Sequence, residues 1–358
     1  MTKISTIFTI NFIIIMLIYF AFVKYSERSY KSEVEIFSDT DNYCELLKKG
    51  VKPANYTPYK LDDHGIENKL LYSADRCSTL KSIFNFYEKP LSAEEADYPL
   101  AYVGSNANET FRFLLKELSD CFPNVYYMDR PPIHWASHEI INTVYTTLEF
   151  LSHLKSEWKY FQYLSGFDAP LKTNLEMVRI FKTLNGSANF ELSAYQMGRL
   201  NGKNISNSPL KLYKSSLSAL IPRASADYMA SSTVPRQLLE FLKDTGFADE
   251  GFWATLFANK PKFDMPGSID GTNMTMPSAY ISRYQVWSGN DCGGYMASGS
   301  CVYGIKDLPK LLNRTQLVAH KFYPSFEFDG YICLLKEIRK RSDESVSYGN
   351  FIHESQYH

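Results

Sequence analysis

The pair Asp249-Glu250 is the most informative group of reactive side chains in this sequence. It stands directly before Gly251-Phe252-Trp253-Ala254-Thr255-Leu256, an apolar stretch of helical character. Carboxylates at a helix start have a plain structural use, because they cap free backbone amides and meet the positive end of the helix dipole. The same position can present a general base to a bound hydroxyl. Spacing alone favours capping. Other candidates are weaker. Asp39-Thr40-Asp41 has the spelling of a divalent-metal site made from carboxylate oxygens, but it lies in a polar segment and not at the end of a core strand. Glu327-Phe328-Asp329 repeats the spelling in what reads as a loop or cap, and His134 and His138 lack a third ligand nearby. No GxGxxG, Walker loop or GxSxG occurs, so nothing here argues for a metal or a phosphate-cradling loop.

Whatever these groups do, a framework must position them. Tyr98 to Val103 reads as a buried strand closing at Gly104, and Glu109 to Cys121 has helical apolar spacing. Asn124 to Met128 is expected as a second strand, His138 to Leu154 as a longer helix, and Trp158 to Leu164 as a third strand ended by Ser165-Gly166. Asn174 starts another helix with Glu176 in its first turn, and Gly186 stops it. Strands alternating with helices imply an α/β fold with a mostly parallel sheet covered on both faces.

The 358 residues, 45% hydrophobic and 22% charged, suffice for a full core, and a net charge of −1 gives no field that would favour nucleic acid. The 26 tyrosines and 24 phenylalanines serve core packing at least as readily as sugar stacking. Ile4 to Val23 carries no charge and has the length of a membrane-spanning helix. No small-residue cleavage pattern follows it, so it reads as an uncleaved signal anchor. Lys3 precedes the span whereas Lys24, Arg28 and Lys31 follow it, so flanking charge does not favour an exported C-terminus. Two other features do. Six cysteines (Cys44, Cys77, Cys121, Cys292, Cys301 and Cys333) include no CxxC pair and read as three disulfides of an exported domain. Six Asn-x-Ser/Thr acceptors, at Asn55, Asn108, Asn185, Asn204, Asn273 and Asn313, also point to the lumen.

Three long blocks carry a resemblance. Trp158 to Glu176 reads WKYFQYLSGFDAPLKTNLE, Ala248 to Leu256 reads ADEGFWATL, and Ser300 to Leu308 reads SCVYGIKDL, followed by Ala319-His320-Lys321-Phe322. In this order they resemble the core-2/I-branching β-1,6-N-acetylglucosaminyltransferase family (glycosyltransferase family 14) over roughly residues 75–340. The resemblance implies a GT-A-like glycosyltransferase domain behind an N-terminal transmembrane helix and stem. The expected divisions are a cytoplasmic tail (1–3), the anchor (4–23), the stem (24–90), the catalytic domain (91–341) and a loose C-terminal tail (342–358).

It further implies an inverting, metal-independent transfer from a UDP-sugar, with no cofactor, to the 6-hydroxyl of a GalNAc or Gal in O-glycans. N-acetylglucosamine is the expected sugar, with UDP-glucose or a catalytically silent glycan-binding protein as alternatives. By resemblance Glu250 is the base, with Asp249 capping or supporting it, and Lys321 contacts the diphosphate. Glu191, Arg199 and Tyr284 match acceptor-binding positions. Two departures stand out. Ser298 occupies the place of an expected arginine, for which Lys306 or Arg283 could substitute, and Tyr102-Val103-Gly104-Ser105 lacks the His-Val-Asp pattern of the donor strand. The family's bridges match Cys44 with Cys333 and Cys292 with Cys301, which leaves Cys77 to pair with Cys121. The implied setting is the Golgi membrane, single-pass type II with a lumenal catalytic domain. The partners are a UDP-sugar, a glycoprotein acceptor and the membrane through the anchor, without nucleic acid; a homodimer stays open.

Overall fold

The computed structural model describes residues 43–58, 68–84, 87, 89–105, 109–130, 133–134 and 136–348. The expected cytoplasmic tail and anchor, the Asp39-Asp41 pair, Asn108 and residues 349–358 lie outside the described residues. Among the described residues, no helix is long and apolar enough to cross a membrane.

The chain runs through α1 (Arg76–Phe84), α2 (Ala93–Asp97), β1 (Leu100–Ser105), α3 (Glu109–Cys121) and α4 (His138–His153). It continues with β2 (Tyr160–Ser165), β3 (Asp168–Pro170), α5 (Asn174–Leu184), β4 (Ser193–Ala194), β5 (Tyr213–Lys214) and β6 (Leu220–Pro222). Then come α6 (Arg223–Ser231), α7 (Val234–Leu242), α8 (Trp253–Phe257), β7 (Arg283–Gln285), β8 (Tyr295–Ala297) and β9 (Ser300–Val302). The last elements are α9 (Leu308–Leu312), β10 (Val318–His320) and α10 (Phe328–Tyr348). Helix α5 is specified locally. The Thr173 hydroxyl accepts the Glu176 amide at 3.1 Å and the Glu176 carboxylate accepts the Thr173 amide at 2.8 Å, a capping box. Asn185 and Gly186, both at positive φ, end it.

Two three-stranded sheets form the centre, in the orders β1-β2-β6 and β3-β10-β7. The expected mostly parallel sheet is corrected here, because each sheet is mixed. β1 and β2 run parallel, as do β10 and β7, but β6 opposes β2 and β3 opposes β10. The direction of β6 follows from what comes next. The Arg223 amide donates to Lys159 O at 2.9 Å, and its guanidinium donates to Ser152 O and Ser156 O, all just before β2 begins. β6 must therefore end where β2 starts.

The expected strand at Asn124 to Met128 is also corrected. The Ser119 hydroxyl, on the last turn of α3, donates to Val125 O at 3.0 Å and accepts the Tyr127 amide at 3.3 Å. One side chain thus satisfies backbone groups that a neighbouring strand would otherwise have to satisfy.

From Tyr43 onward the expected stem is docked on the catalytic domain. Cys44, Leu47, Leu70, Leu80 and Ile83 are buried in one apolar cluster with Tyr331, Cys333 and Leu335 of α10. The Tyr43 and Tyr56 hydroxyls donate to the two oxygens of buried Asp329, at 2.9 and 2.6 Å, and Lys52 pairs with Glu327. These contacts account for the acidic Glu327-Phe328-Asp329 sequence, which fastens the stem segment. The expected tail from residue 342 begins as helix, since α10 runs to Tyr348. Disulfides join Cys44 to Cys333 and Cys292 to Cys301, the pairs that the resemblance implies, and Cys77 to Cys121, the pair expected from the two cysteines left over. Asn55, Asn185, Asn204, Asn273 and Asn313 are exposed.

The Cys44–Cys333 bridge closes a loop of 289 residues, so it should restrict the unfolded chain strongly. Replacing both cysteines by serine is expected to lower the unfolding free energy by about 2–5 kcal/mol in urea denaturation. An unchanged midpoint and slope would contradict that role.

Candidate active site

Glu250 sits in a 3₁₀ turn, Ala248–Gly251, that leads into α8. The residues after it hold the turn against β5. The Thr255 hydroxyl accepts the Tyr213 amide at 2.9 Å and lies 3.2 Å from Tyr213 O. The Trp253 indole donates to Leu217 O at 2.8 Å, and the Ser215 amide donates to Glu250 O at 2.8 Å. Gly251 is needed for close packing, because a Cβ there would lie 3.0 Å from Leu242 Cδ2 and 3.2 Å from Tyr195 Cε2. Trp253, Ala254 and Thr255 are fully buried. They are scaffold, and they fix Lys214 of β5 beside Glu250.

Two cations meet the Glu250 carboxylate on one oxygen. Arg199 Nη1 lies 2.7 Å and Lys214 Nζ 3.2 Å from Oε2. Oε1 accepts no hydrogen bond from the described residues. Arg199 is carried on the excursion between β4 and β5, held by the Gly246 amide donating to Arg199 O at 2.7 Å and by its guanidinium 4.8 Å over the Phe247 ring. Glu191 joins the group electrostatically. Burial pushes its carboxyl above the ordinary range, Lys214 draws it down, and Glu250 raises it. Asp249 is not the N-cap residue of the turn, a place taken by Phe247, and its Oδ1 is buried without a partner. Burial, and then the charge of Glu250, push it up to about 6.

A second group lies at the ends of β2, β3, β7 and β10. Asp168, 0% exposed, accepts Arg283 Nη2 at 2.9 Å and the Ser165 amide at 2.8 Å on Oδ2, and His320 Nδ1 lies 2.7 Å from Oδ1. Burial pushes its carboxyl up, but Arg283, His320 and the Ser165 amide outweigh this and hold it below the usual range. Lys321 follows directly. It is only 4% exposed, not a surface lysine, and its Nζ donates to Ala297 O at 2.7 Å. No carboxylate pairs with it among the described residues, and burial lowers its pKa. Ala297 ends β8, and Ser298 and Gly299, both at positive φ, form the tight turn into β9. The Cys292–Cys301 bridge fastens this hairpin. Beside it stands Trp287, 62% exposed; a Cβ built on Gly299 would lie 3.7 Å from its ring.

The structure therefore brings Glu250, Glu191 and Arg199 together, with Lys214 added. The Arg283 charge reaches Glu191 and, through Asp168 and His320, links this group to Lys321. Tyr284 is not brought there. It alternates with Arg283 along β7, and its ring is engaged by Tyr303, stacked at 5.9 Å, and by the Arg314 guanidinium at 4.2 Å. Neither suggested stand-in for the missing arginine serves directly, because Arg283 is committed to Asp168 and Lys306 is an exposed residue of another turn. Sequence reasoning missed Lys214, which lies far from the Asp-Glu motif along the chain, and Asp168 and His320, which were visible only as members of matched blocks. Among the described residues, no group of three or more His, Cys, Asp and Glu is arranged to hold a metal ion.

The family model described as Core-2/I-branching enzyme matches residues 88–312, more than half of the chain. The chain is 28% identical over 329 residues to the β-1,3-galactosyl-O-glycosyl-glycoprotein β-1,6-N-acetylglucosaminyltransferase 3 of Ovis aries, covering 74% of this chain and 73% of that protein. It is 27% identical over 330 residues to the Homo sapiens protein of the same name, with 74% of each chain covered. It is also 26% identical over 326 residues to the β-1,3-galactosyl-O-glycosyl-glycoprotein β-1,6-N-acetylglucosaminyltransferase of Bovine herpesvirus 4, covering 74% and 73%.

The buried Asp249 gives a pH test. Its folded carboxyl keeps a proton to about pH 6, whereas the unfolded one releases it near 3.8, so the folded state loses stability as pH rises through that window. Asp249→Asn removes this loss. Its stability relative to wild type should grow from about pH 4 to about pH 6 and then level off in parallel denaturation curves. A difference independent of pH would contradict the burial argument.

Proposed function

The chain belongs to the Core-2/I-branching enzyme family and is a glycosyltransferase, and from that premise we propose an inverting transfer from a UDP-sugar to the 6-hydroxyl of a Gal or GalNAc in O-glycans. N-acetylglucosamine is the sugar we assign, as in the names of the relatives, and the transfer we propose uses no divalent metal. Glu250 is the general base. The acceptor hydroxyl attacks the anomeric carbon on the face opposite the departing diphosphate, and Glu250 Oε1 takes its proton as the new bond forms. The observation that carries this reading is the division of labour at Glu250: both cations sit on Oε2, and Oε1 is left open to the acceptor. One carboxylate suffices for inversion, because no covalent sugar–enzyme intermediate has to be made and broken.

Lys321 steadies the leaving UDP. A buried ammonium that meets a backbone carbonyl and, at 5.2 Å, the Tyr323 ring, but no carboxylate among the described residues, is incompletely compensated, and a diphosphate supplies the missing negative charge. The exposed Trp287 indole, beside the Ser298-Gly299 turn, offers an apolar face to a sugar ring. Glu191 and Arg199 bind acceptor hydroxyls, so the rate gain is mainly one of positioning a primary alcohol. The apolar Ile4–Val23 segment, the three disulfides and the exposed Asn-x-Ser/Thr sites support a type II protein anchored in the Golgi membrane with its catalytic domain in the lumen.

A donor screen tests the whole reading. Transfer from UDP-N-acetylglucosamine should survive EDTA and yield a β-linked product at carbon 6. Glu250→Gln should lower kcat by about 10²–10⁴-fold, with donor binding retained. Lys321→Ala should weaken donor binding instead. No transfer from any UDP-sugar, or transfer by Glu250→Gln at the wild-type rate, would overturn it.

A further inference from the structure

The donor half as described has one cation, Lys321, for a diphosphate, and serine at 298 where a second was expected. The residue before Lys321 is a histidine whose ring is held in an unusual way. His320 ends β10, in register with Asp168 of β3 on one side and Gln285 of β7 on the other. Its Nδ1 lies 2.7 Å from Asp168 Oδ1 and 3.0 Å from the Ser165 hydroxyl. Asp168 is an anion, fixed by Arg283 and the Ser165 amide, so it must receive a proton, and Nδ1 is the nitrogen that carries it. Ser165, His320 and Asp168 are therefore no nucleophilic triad, because serine and carboxylate meet the same ring nitrogen and the serine also donates to Asp168 at 3.0 Å.

This leaves Nε2. It has no hydrogen-bond partner among the described residues, yet it is not among the buried unpaired atoms, and the side chain is 14% exposed. The ring is open at that nitrogen. Four groups act on it: Asp168 from β3, Ser165 from β2, Arg283 from β7, and its neighbour Lys321. Burial lowers its pKa most, Asp168 raises it, and the charges of Arg283 and Lys321 lower it further, with a net downward shift. The free enzyme thus holds a neutral imidazole with a lone pair on Nε2, a carboxylate behind it, and two cations opposing its protonation. A polyanion arriving at Lys321 removes that opposition.

We propose that His320 is a second ligand of the donor diphosphate, its Nε2 taking one proton from solvent as the nucleotide sugar binds and donating it as N–H to a phosphate oxygen beside Lys321. Asp168 is the buried counter-charge of the resulting imidazolium. The inference rests on the reading that Lys321 faces the diphosphate. It predicts that donor binding consumes a proton and weakens as pH rises.

Calorimetry on the full chain in detergent tests this, with UDP-N-acetylglucosamine and UDP-glucose as probes, since neither diphosphate has a group titrating near neutrality. Paired buffers of different ionisation enthalpy should report uptake of up to one proton per nucleotide sugar. Affinity should fall about tenfold between about pH 6 and pH 8. His320→Asn keeps a donor toward Asp168 but has no titrating nitrogen. It should abolish proton uptake and flatten the pH profile, matching wild type at the alkaline end. Should His320→Asn unfold, His320→Gln is read in the same way. Wild-type proton uptake and slope in a folded variant, or no uptake in wild type, would overturn the proposal. Lys321→Ala separates the two levels. If it leaves binding unchanged, or if neither probe binds wild type, the reading of the donor site fails and the inference with it. If Lys321→Ala weakens binding while pH dependence is unaffected by His320→Asn, only the inference falls.

Discussion

The buried ion pair between Asp168 and Arg283 is the interaction on which the rest of the site depends. A lone charge in the interior costs several kcal/mol, so neither group is tolerable there without the other. The two strands that carry them, β3 and β7, flank β10, and the pair reaches across that central strand. Asp168 is well satisfied, by Arg283, by the amide and hydroxyl of Ser165, and by His320. Arg283 is satisfied less fully, because its Nε is buried without a partner. From this pair the two halves of the site diverge. Asp168 orients the ring next to Lys321, and the Arg283 charge reaches Glu191, which also feels Lys214 and Glu250. Glu250 and Lys321, the proposed base and the proposed donor-side cation, are therefore ends of one chain of charges.

Around that chain, most of the matched blocks are construction. In Asp-Glu-Gly-Phe-Trp-Ala-Thr, Asp249 Oδ1 is unpaired but buried, whereas Glu250 Oε1 is unpaired among the described residues and not buried. Gly251 permits close approach, and Trp253 and Thr255 spend their polar atoms on the backbone of β5 and the residues after it. The aromatic richness of the chain has the same explanation. Trp158, Trp253, Tyr145, Tyr160 and Phe181 are among the largest fully buried side chains, whereas Trp287 is the one tryptophan of the described chain that is largely exposed. The docked stem segment adds to the frame. Glu327, which pairs with Lys52, also accepts the Ile305 amide at 2.7 Å, and Tyr303 two residues earlier donates its amide to Lys321 O at 2.9 Å. The stem segment thus touches the same short stretch of chain that supports Lys321.

Much of this was legible in the sequence where the signal is local. Helix α5, with Thr173 and Glu176 at its start and Gly186 past its end, follows from capping chemistry alone. The helices at Glu109 and His138 follow from apolar period. What failed was non-local. Asn124 to Met128 has strand composition, but Ser119 satisfies its backbone groups before a ladder can. The direction of β6 depends on an arginine that reaches the end of α4. Asp249 looks like a cap, but its Oδ1 is buried without a partner and desolvation raises the carboxyl. Lys214 and Glu250 are ion-paired across 36 positions of chain, a spacing to which no motif attaches. Residues 43–58 fall in the expected stem, but their tyrosines and lysines find acids on α10 and the turn before it.

The central claim is that Glu250 and Lys321 serve one reaction centre. A crystal structure of the protein with UDP and an O-glycan acceptor bound together tests it most directly. The account predicts a phosphate oxygen within hydrogen-bonding distance of Lys321 Nζ and the acceptor's carbon-6 hydroxyl on Glu250 Oε1, with space between them for the transferred sugar. UDP bound away from Lys321, or an acceptor hydroxyl out of reach of Glu250, would contradict it.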